Sequence, residues 1–542
     1  MPEAAYLRVQ PGTRFETPLS RLAYLVGKLT GWRRHGLALV LGALLAGAMP
    51  PVDLAPLIFL AIPGLLWLDE GSPTAWASFR VGYSFGIGFF VAGMYWIAVS
   101  LFVDIARYWW ALPFAVLGVP ALLACFPAAA TGVLGFVSRR FGISGFARIA
   151  LFAVLWCAAE WARGHVLTGL PWNLVGYAWS GGFPGALALL QVTAWTGIYG
   201  LSLLTALAAA LPALLGVPAQ FPRSIWAAVG PVFATALILL IPAAAGSLRL
   251  SLAPTALTET TLRLVQPSIP ESLKWDPKAA EANFRRLLEL SATSGSSPPN
   301  AVIWPEGAAT FYLERDPAHR EAAAGAAPKG GYLLTGAMRT EPATGRATHF
   351  YNSIEAIDGT GAIRAVYDKS HLVPFGEYMP WRWLLPIDSF IPGSVDLSAG
   401  TGPKTISLPG LPPFAPAVCY EAIFPHSFVD EAHRPAWILN VTNDAWYGRS
   451  SGPYQHFAIA RTRAVEEGLP LIRAGNNGIS GVVDPEGRVL ARTTLDAVGY
   501  ADVTLPAPGP ATPYSRFGDW IFLGLLLLGL VPAAIRLIRP AA

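Results

Sequence analysis

Three side chains of complementary chemistry fall at predicted strand ends in the second half of this chain. They are Glu306 in "WPEG", Lys369 in "YDKSHLVPFGEYMP" and Cys419 in "FAPAVCYEAIFP" (414–425). A free thiol has a pKa of about 8.5, so only a few per cent is thiolate near pH 7. A carboxylate in a desolvated cleft can take the thiol proton as general base, because its own pKa rises there. A nearby ammonium favours the thiolate and stabilises the oxyanion of a tetrahedral intermediate, and the backbone N–H groups after Cys419 offer a second donor. One of each type makes a set able to form a covalent intermediate. Taken singly, each also has an ordinary reading: a strand-end carboxylate, a solvated lysine, an inert buried thiol.

The elements that must position them alternate between strand and helix. "TLRLVQ" (261–266) predicts a strand and "PKAAEANFRRLLELSAT" (277–293) an amphipathic helix. "NAVIWPEG" (300–307) predicts a buried strand ending at its proline, and "YLLTGAMR" (332–339) another. "FYNSIEAIDGTGAIRAVYDK" (350–369) predicts a hairpin turning at "DGTG". Two further strands, "APAVCYE" and "AWILNVTND", precede the helix "YQHFAIARTRAVEEG". "LPLIRAGNNGISGVVDPEGRVLA" reads as a strand, a loop and a second hairpin. This alternation predicts a layered α/β domain over residues 248–518, with its site at strand ends.

The rest of the chain is too apolar for a water-soluble protein. Of 542 residues 53% are hydrophobic and 13% charged, with a mean hydropathy of +0.45. The excess lies in residues 36–247 and 519–538, which predict about eight membrane helices. The expected spans are 36–49, 52–68, 80–103, 110–137, 146–167, about 186–215, 225–246 and 519–538. Arg21, Lys28, Arg33, Arg34, Arg139, Arg140, Arg148, Arg223, Arg536 and Arg539 then share one side, the cytoplasmic one. Residues 1–35 become a cytoplasmic tail and 248–518 an extracytoplasmic domain, with both termini cytoplasmic. The net charge of +4, with basic residues at segment ends, gives no reason to expect nucleic acid. Cys125 and Cys157 lie inside predicted spans, whereas Cys419 would stand unpaired in an oxidising compartment. Glu160 and Arg163 in "AAEWARG" can face each other near the outer end of their span, as an ion pair fixing the outer loops or as a headgroup site.

The order of "WPE", a lysine ahead of "HLVPFGEYMP", and "CYE" resembles the carbon–nitrogen hydrolase (nitrilase) superfamily. Together with the membrane part, the chain resembles the apolipoprotein N-acyltransferase family. The shared motifs are "GLPWNLVGYAW" (169–179), "GIYGLSLL" (197–204), "VQPSIPESLKWD" (265–276), "WPEG", "YNS", "KSHLVPFGEYMPWR", "CYEAIFP" and "NDAWYG" (443–448). The resemblance implies a nitrilase-like α-β-β-α sandwich beside the membrane helices, in a bacterial inner membrane. It implies a ping-pong reaction in which Cys419 is acylated by a membrane phospholipid and passes the chain to the α-amino group of a diacylated apolipoprotein. Glu306 is then the proton acceptor, Lys369 the stabiliser of the intermediate and Cys419 the nucleophile. Glu377, Glu421, Asn352 and Tyr420 are expected in support, and Trp275, Trp383 and Trp446 as substrate contacts. No cofactor or metal is expected, and a monomer is. "WRWLLPIDSFIP" (381–392) predicts a mobile arm dipping into the outer leaflet. The alternatives are a membrane-anchored amidase that passes its acyl group to water, and a non-catalytic scaffold.

Overall fold

A computed structural model describes residues 18–216, 225–293, 295, 298–380, 383 and 396–538, residues 225–228 by backbone only. The chain divides into two compact units: Met1–Ala98 with Ala111–Leu252 and Phe517–Ala542, and Val99–Trp110 with Ala253–Arg516.

The first unit is helical. Its main helices are Pro18–Gly27, Gly31–Ala46, Ile58–Glu70, Ala75–Met94, Val119–Phe141, Gly145–His165, Thr193–Ala210, Ile225–Leu252 and Trp520–Ile538. Among the described residues, 6 helical stretches are long and apolar enough to cross a membrane, and they coincide with the last six expected spans. The helices at the first two expected spans have 16 and 13 residues. At about 1.5 Å per residue they reach about 24 and 20 Å, short of a hydrocarbon core of about 30 Å. The first of them begins before the apolar run and includes Arg33 and Arg34. The second starts only at Ile58, because Pro50, Pro51 and Pro56 occupy the connection. Residues 18–27, inside the expected tail, form a helix whose Ala23 and Gly27 are buried.

Glycine lets the helices of this unit touch backbone to backbone. A Cβ on Gly42 would stand 1.9 Å from the Phe85 carbonyl oxygen, and one on Gly88 1.9 Å from that of Leu39. On its other flank helix Ala75–Met94 meets helix Val119–Phe141, where a Cβ on Gly82 would lie 2.0 Å from Thr131 Oγ1 and one on Gly86 2.8 Å from Ala124 Cα. Three of the ten basic residues expected on one side of the membrane end near residues 69–72 or the helix Pro18–Gly27. Arg148 pairs with the buried Asp69 at 2.5 Å, Arg139 donates to the Ser72 carbonyl at 3.1 Å and Arg34 to that of Gly27 at 3.3 Å. Glu160 accepts from Trp156 Nε1 and the Val175 N–H, while Arg163 donates to the carbonyls of Leu170 and Trp172. Both charges thus fasten the segment after their helix, the loop-fixing role.

The second unit holds two six-stranded sheets. The first contains β1 (Leu257–Gln266), β2 (Ala301–Ala309), β3 (Tyr332–Glu341), β4 (His349–Asp358) and β5 (Ile363–Asp368). The second contains β6 (Ile406–Leu408), β7 (Leu411–Val418), β8 (Trp437–Thr442), β9 (Leu471–Gly475), β10 (Gly481–Val483) and β11 (Val489–Arg492). The last strand, β12 (Gly499–Pro506), returns to pair antiparallel with β1. The orders are β12-β1-β2-β3-β4-β5 and β11-β10-β9-β8-β7-β6, with β1–β3 and β7–β9 parallel.

Alternation along the strands builds three apolar layers. Leu262, Leu264, Ile303 and Leu334 of one sheet meet Phe414, Trp437, Leu439 and Val441 of the other. Val302, Trp304 and Leu333 turn outward against Phe284 and Leu287 of helix Pro277–Ala292. Ile438 and Leu471 turn outward against Phe457 and Ala460 of helix Gly452–Glu467. The result is the α-β-β-α layering. One detail departs from expectation. β2 does not stop at Pro305 but runs to Ala309, its pairing with β3 interrupted between Trp304 and Ala309.

Candidate active site

That interruption places the first candidate carboxylate. Gly307, in the bulge, has φ 55°, and Gly336 on the facing strand has no room for a Cβ, which would lie 2.4 Å from the Pro305 carbonyl oxygen. The chain is thereby pinned where Glu306 turns toward the strand ends. Lys369 is the first residue after β5, its N–H bound to the Asn352 carbonyl at 2.8 Å. Cys419 is the first residue after β7 and opens the short helical turn Cys419–Ile423. Its φ of 50° is left-handed, a strain of about 1–3 kcal/mol for a non-glycine residue that the surroundings must hold in place.

The charged groups form one buried cluster. Lys369 Nζ lies 2.9 Å from Glu377 Oε2 and 3.7 Å from Glu306 Oε1. Asn352 Nδ2 donates to both carboxylates, at 2.8 Å to Glu306 Oε1 and 2.8 Å to Glu377 Oε1. Glu306 Oε2 accepts the Asn443 N–H at 2.8 Å. Glu306 therefore has both oxygens fixed. Lys274 Nζ holds the Glu306 backbone carbonyl at 2.8 Å. Glu271 accepts from Asn443 Nδ2 at 2.6 Å and from Trp275 Nε1 at 2.9 Å.

Electrostatics assign protonation states. Burial pushes the Cys419 thiol well above its ordinary range, and the Glu306 charge adds to this while Lys369 opposes it. The resting sulfur is a thiol that needs a base beside it. Burial acts to lower the Lys369 pKa, but the carboxylates of Glu377 and Glu306 outweigh it and hold the ammonium well above its usual value. Lys369 is a fixed positive charge, not a proton shuttle. Burial lowers Lys274 and raises Glu271. Among the described residues no group of His, Cys, Asp and Glu side chains could hold a metal ion.

Glu421 supports the turns instead of joining the cluster. Its Oε2 accepts the Val418 N–H at 2.8 Å, and its Oε1 accepts from Tyr367 OH, Ser370 N and Ser370 Oγ, each at 2.8 Å. One carboxylate thereby ties the segment entering Cys419 to the segment leaving Lys369. Tyr420 packs edge-on against Phe424 and His371. Trp275 lies beside Gly307, and Trp446 is half-buried in the turn Asp444–Tyr447. Trp383 is 83% exposed, and the rest of the expected arm 381–392 lies outside the described residues. Lys274, Glu271 and Asn443 were missed as site residues, although Lys274 and Asn443 sit in the motifs "SLKWD" and "NDAWYG".

Two facing sheets with a carboxylate, an ammonium and a thiol at their strand ends define a carbon-nitrogen hydrolase unit. Residues 261–510 match the carbon-nitrogen hydrolase family model, and residues 41–211 match the apolipoprotein N-acyltransferase N-terminal domain. An amidase of known structure from Nesterenkonia sp. aligns with a TM-score of 0.35 and 20% identity, over 49% of this chain and 96% of that one. The apolipoprotein N-acyltransferase of Rhodopseudomonas palustris is 41% identical over 519 residues, 92% of this chain and 95% of that protein. That of Brucella melitensis is 39% identical over 539 residues, 96% of this chain and 98% of that protein. The chain belongs to the apolipoprotein N-acyltransferase family.

Proposed function

We propose that this protein moves a fatty acyl chain from a membrane phospholipid to the α-amino group of the N-terminal diacylglyceryl cysteine of an apolipoprotein. Glu306 takes the Cys419 proton, and the sulfur attacks the phospholipid ester carbonyl. The oxyanion that forms is stabilised by Lys369. The C–O bond breaks, Glu306 returns the proton to the departing lysophospholipid, and an acyl-thioester remains. The amine then attacks the thioester, Glu306 takes a proton from the nitrogen, the C–S bond breaks, and Glu306 returns that proton to the departing sulfur as the amide forms. A thioester reacts with amines more readily than an oxygen ester, so one hard transfer becomes two easier ones. Keeping water out protects it from hydrolysis. Asn352 and Glu377 position base and ammonium, and Trp275, Trp446 and Trp383 contact the substrates.

In this reading the chain crosses the inner membrane at its six longer apolar helices, with residues 36–247 and 519–542 in the membrane part and the catalytic domain, residues 248–518, in the periplasm. It works as a monomer without a cofactor. The observation that carries the reading is the buried ammonium shared by two carboxylates, one of them fixed at both oxygens beside a buried thiol. Intact mass of the purified protein tests it. A fatty-acyl adduct removed by hydroxylamine, and absent from Cys419→Ser, is the expected result. Incubation with labelled phospholipid and a diacylated lipopeptide should yield amide. Free fatty acid without amide would show a hydrolase instead.

A further inference from the structure

Behind the nucleophile lies a polar network with no place in the mechanism above. His456, on helix Gly452–Glu467, is fully buried, and its Nε2 stands 3.2 Å from the carbonyl oxygen of Cys419. A carbonyl only accepts, so Nε2 carries the proton and donates to it. On its other side His456 Nδ1 lies 3.0 Å from Arg473 Nη2 and 2.9 Å from Asp444 Oδ1. Burial and the Arg473 charge lower the His456 pKa, and the Asp444 carboxylate beside Nδ1 opposes them. Arg473 also binds both Asp444 oxygens, at 3.1 and 3.0 Å, and Asn440. Asp444 Oδ1 accepts from Thr442 Oγ1 at 3.0 Å. Arg473, Asp444 and His456 are each 0% exposed.

Two tasks fall to this network. Cys419 holds a left-handed backbone, and the His456 N–H bond to its carbonyl fixes that peptide. Asp444 is a negative charge behind a sulfur that must become negative, and Arg473 neutralises it. We propose that His456 and Arg473 are positioning residues for acyl transfer: His456 locks the nucleophile's peptide, and Arg473 screens the Asp444 charge as the sulfur becomes negative. The charged and titratable groups facing the sulfur are Glu306, Lys369, Asp444 and Tyr447, together with Lys274 from the adjoining turn. The proposal rests on acylation at Cys419.

The test uses the full-length protein in detergent and two readouts: the rate of acyl-adduct formation from phospholipid, and the pH profile of Cys419 alkylation by iodoacetamide. His456→Leu should slow acylation about a hundredfold, the usual effect of a displaced reacting group. His456→Gln, which keeps an N–H donor, should recover most of that loss. Arg473→Met should move the alkylation profile to higher pH, and Arg473→Lys should bring it back. His456→Asn, polar but too short to reach the Cys419 carbonyl, replaces His456→Leu if the apolar change impairs folding: it should be slow where His456→Gln is not. The inference is overturned if His456→Gln is as slow as His456→Leu or His456→Asn, or if Arg473→Met leaves the alkylation profile unchanged. Absence of any adduct on the parent protein, with the alkylation shifts present, would instead refute the acyl-transfer reading and leave the positioning roles standing.

Discussion

Replacing Asn352 by leucine removes one amide that serves two carboxylates. Its Nδ2 lies 2.8 Å from an oxygen of Glu306 and 2.8 Å from one of Glu377. Hydrogen bonds to charged groups contribute about 1.5–3 kcal/mol each, so the ceiling is about 3–6 kcal/mol. Two features lower it. The Asn352 amide oxygen is buried without a hydrogen-bond partner among the described residues, so its removal forfeits nothing. Lys369 Nζ, 3.7 Å from Glu306 Oε1, can close on the freed oxygen. The expected net loss of stability is about 2–3 kcal/mol. The kinetic loss has a separate origin. Without Asn352, Glu306 is fixed at Oε2 by Asn443 alone and can swing away from Cys419. A misplacement of about 1 Å costs about a hundredfold, and a general base contributes about 10²–10⁴-fold in all. Acyl-enzyme formation, followed by quenched intact mass with phospholipid in mixed micelles, should slow about a hundredfold. A folded Asn352→Leu protein that acylates within about threefold of the parent would refute the assignment of this amide to the base.

Gly336→Ala should cut acylation more than about tenfold, because its Cβ would stand 2.4 Å from the Pro305 oxygen and 2.6 Å from Glu306 Cα; Gly359→Ala, with open space around it, should not, and equal rates would refute the bulge argument. Glu355 is buried, neither of its oxygens has a hydrogen-bond partner among the described residues, and burial raises its pKa to about 7. The folded chain then binds a proton that the unfolded one releases near pH 4.5, so stability declines from about pH 4.5 to 7. Glu355→Gln should recover about 3 kcal/mol at pH 8 and little at pH 4, read as melting temperature against pH. His426, hydrogen-bonded to Glu467, is raised to about 9. Its contribution is complete below about pH 6.5 and is lost as pH rises through about 9, so His426→Gln should flatten the melting profile in that window.

The layers of the catalytic unit were legible because they follow from period-two alternation and turn residues, as "DGTG" between β4 and β5 shows. The six longer helices were legible because length and hydropathy alone decide them. The two short helices were not: the sequence shows two apolar runs but not how much of each the connection carrying Pro50, Pro51 and Pro56 takes out of the helix. At the site, Glu306, Lys369 and Cys419 were visible because each carries chemistry at a predicted strand end. Asn443 and Lys274 act through a backbone N–H and on a backbone carbonyl, roles that no local pattern announces. His456 lies 37 positions from Cys419 and Arg473 17 beyond His456, so only the parallel sheet and its covering helix bring them together.

Helix Ala75–Met94 is clasped on both flanks at Gly42, Gly88, Gly82 and Gly86, where main chain meets main chain or nearly so. At Gly42 and Gly88 the nearest atoms are main-chain, so no rotamer there could yield. The helix can neither piston along its axis nor roll without parting from its neighbours, so the trio moves as one plank. Any fluctuation that admits a lipid must then be sought away from this seam, and mutational drift at the four glycines should be confined to glycine itself.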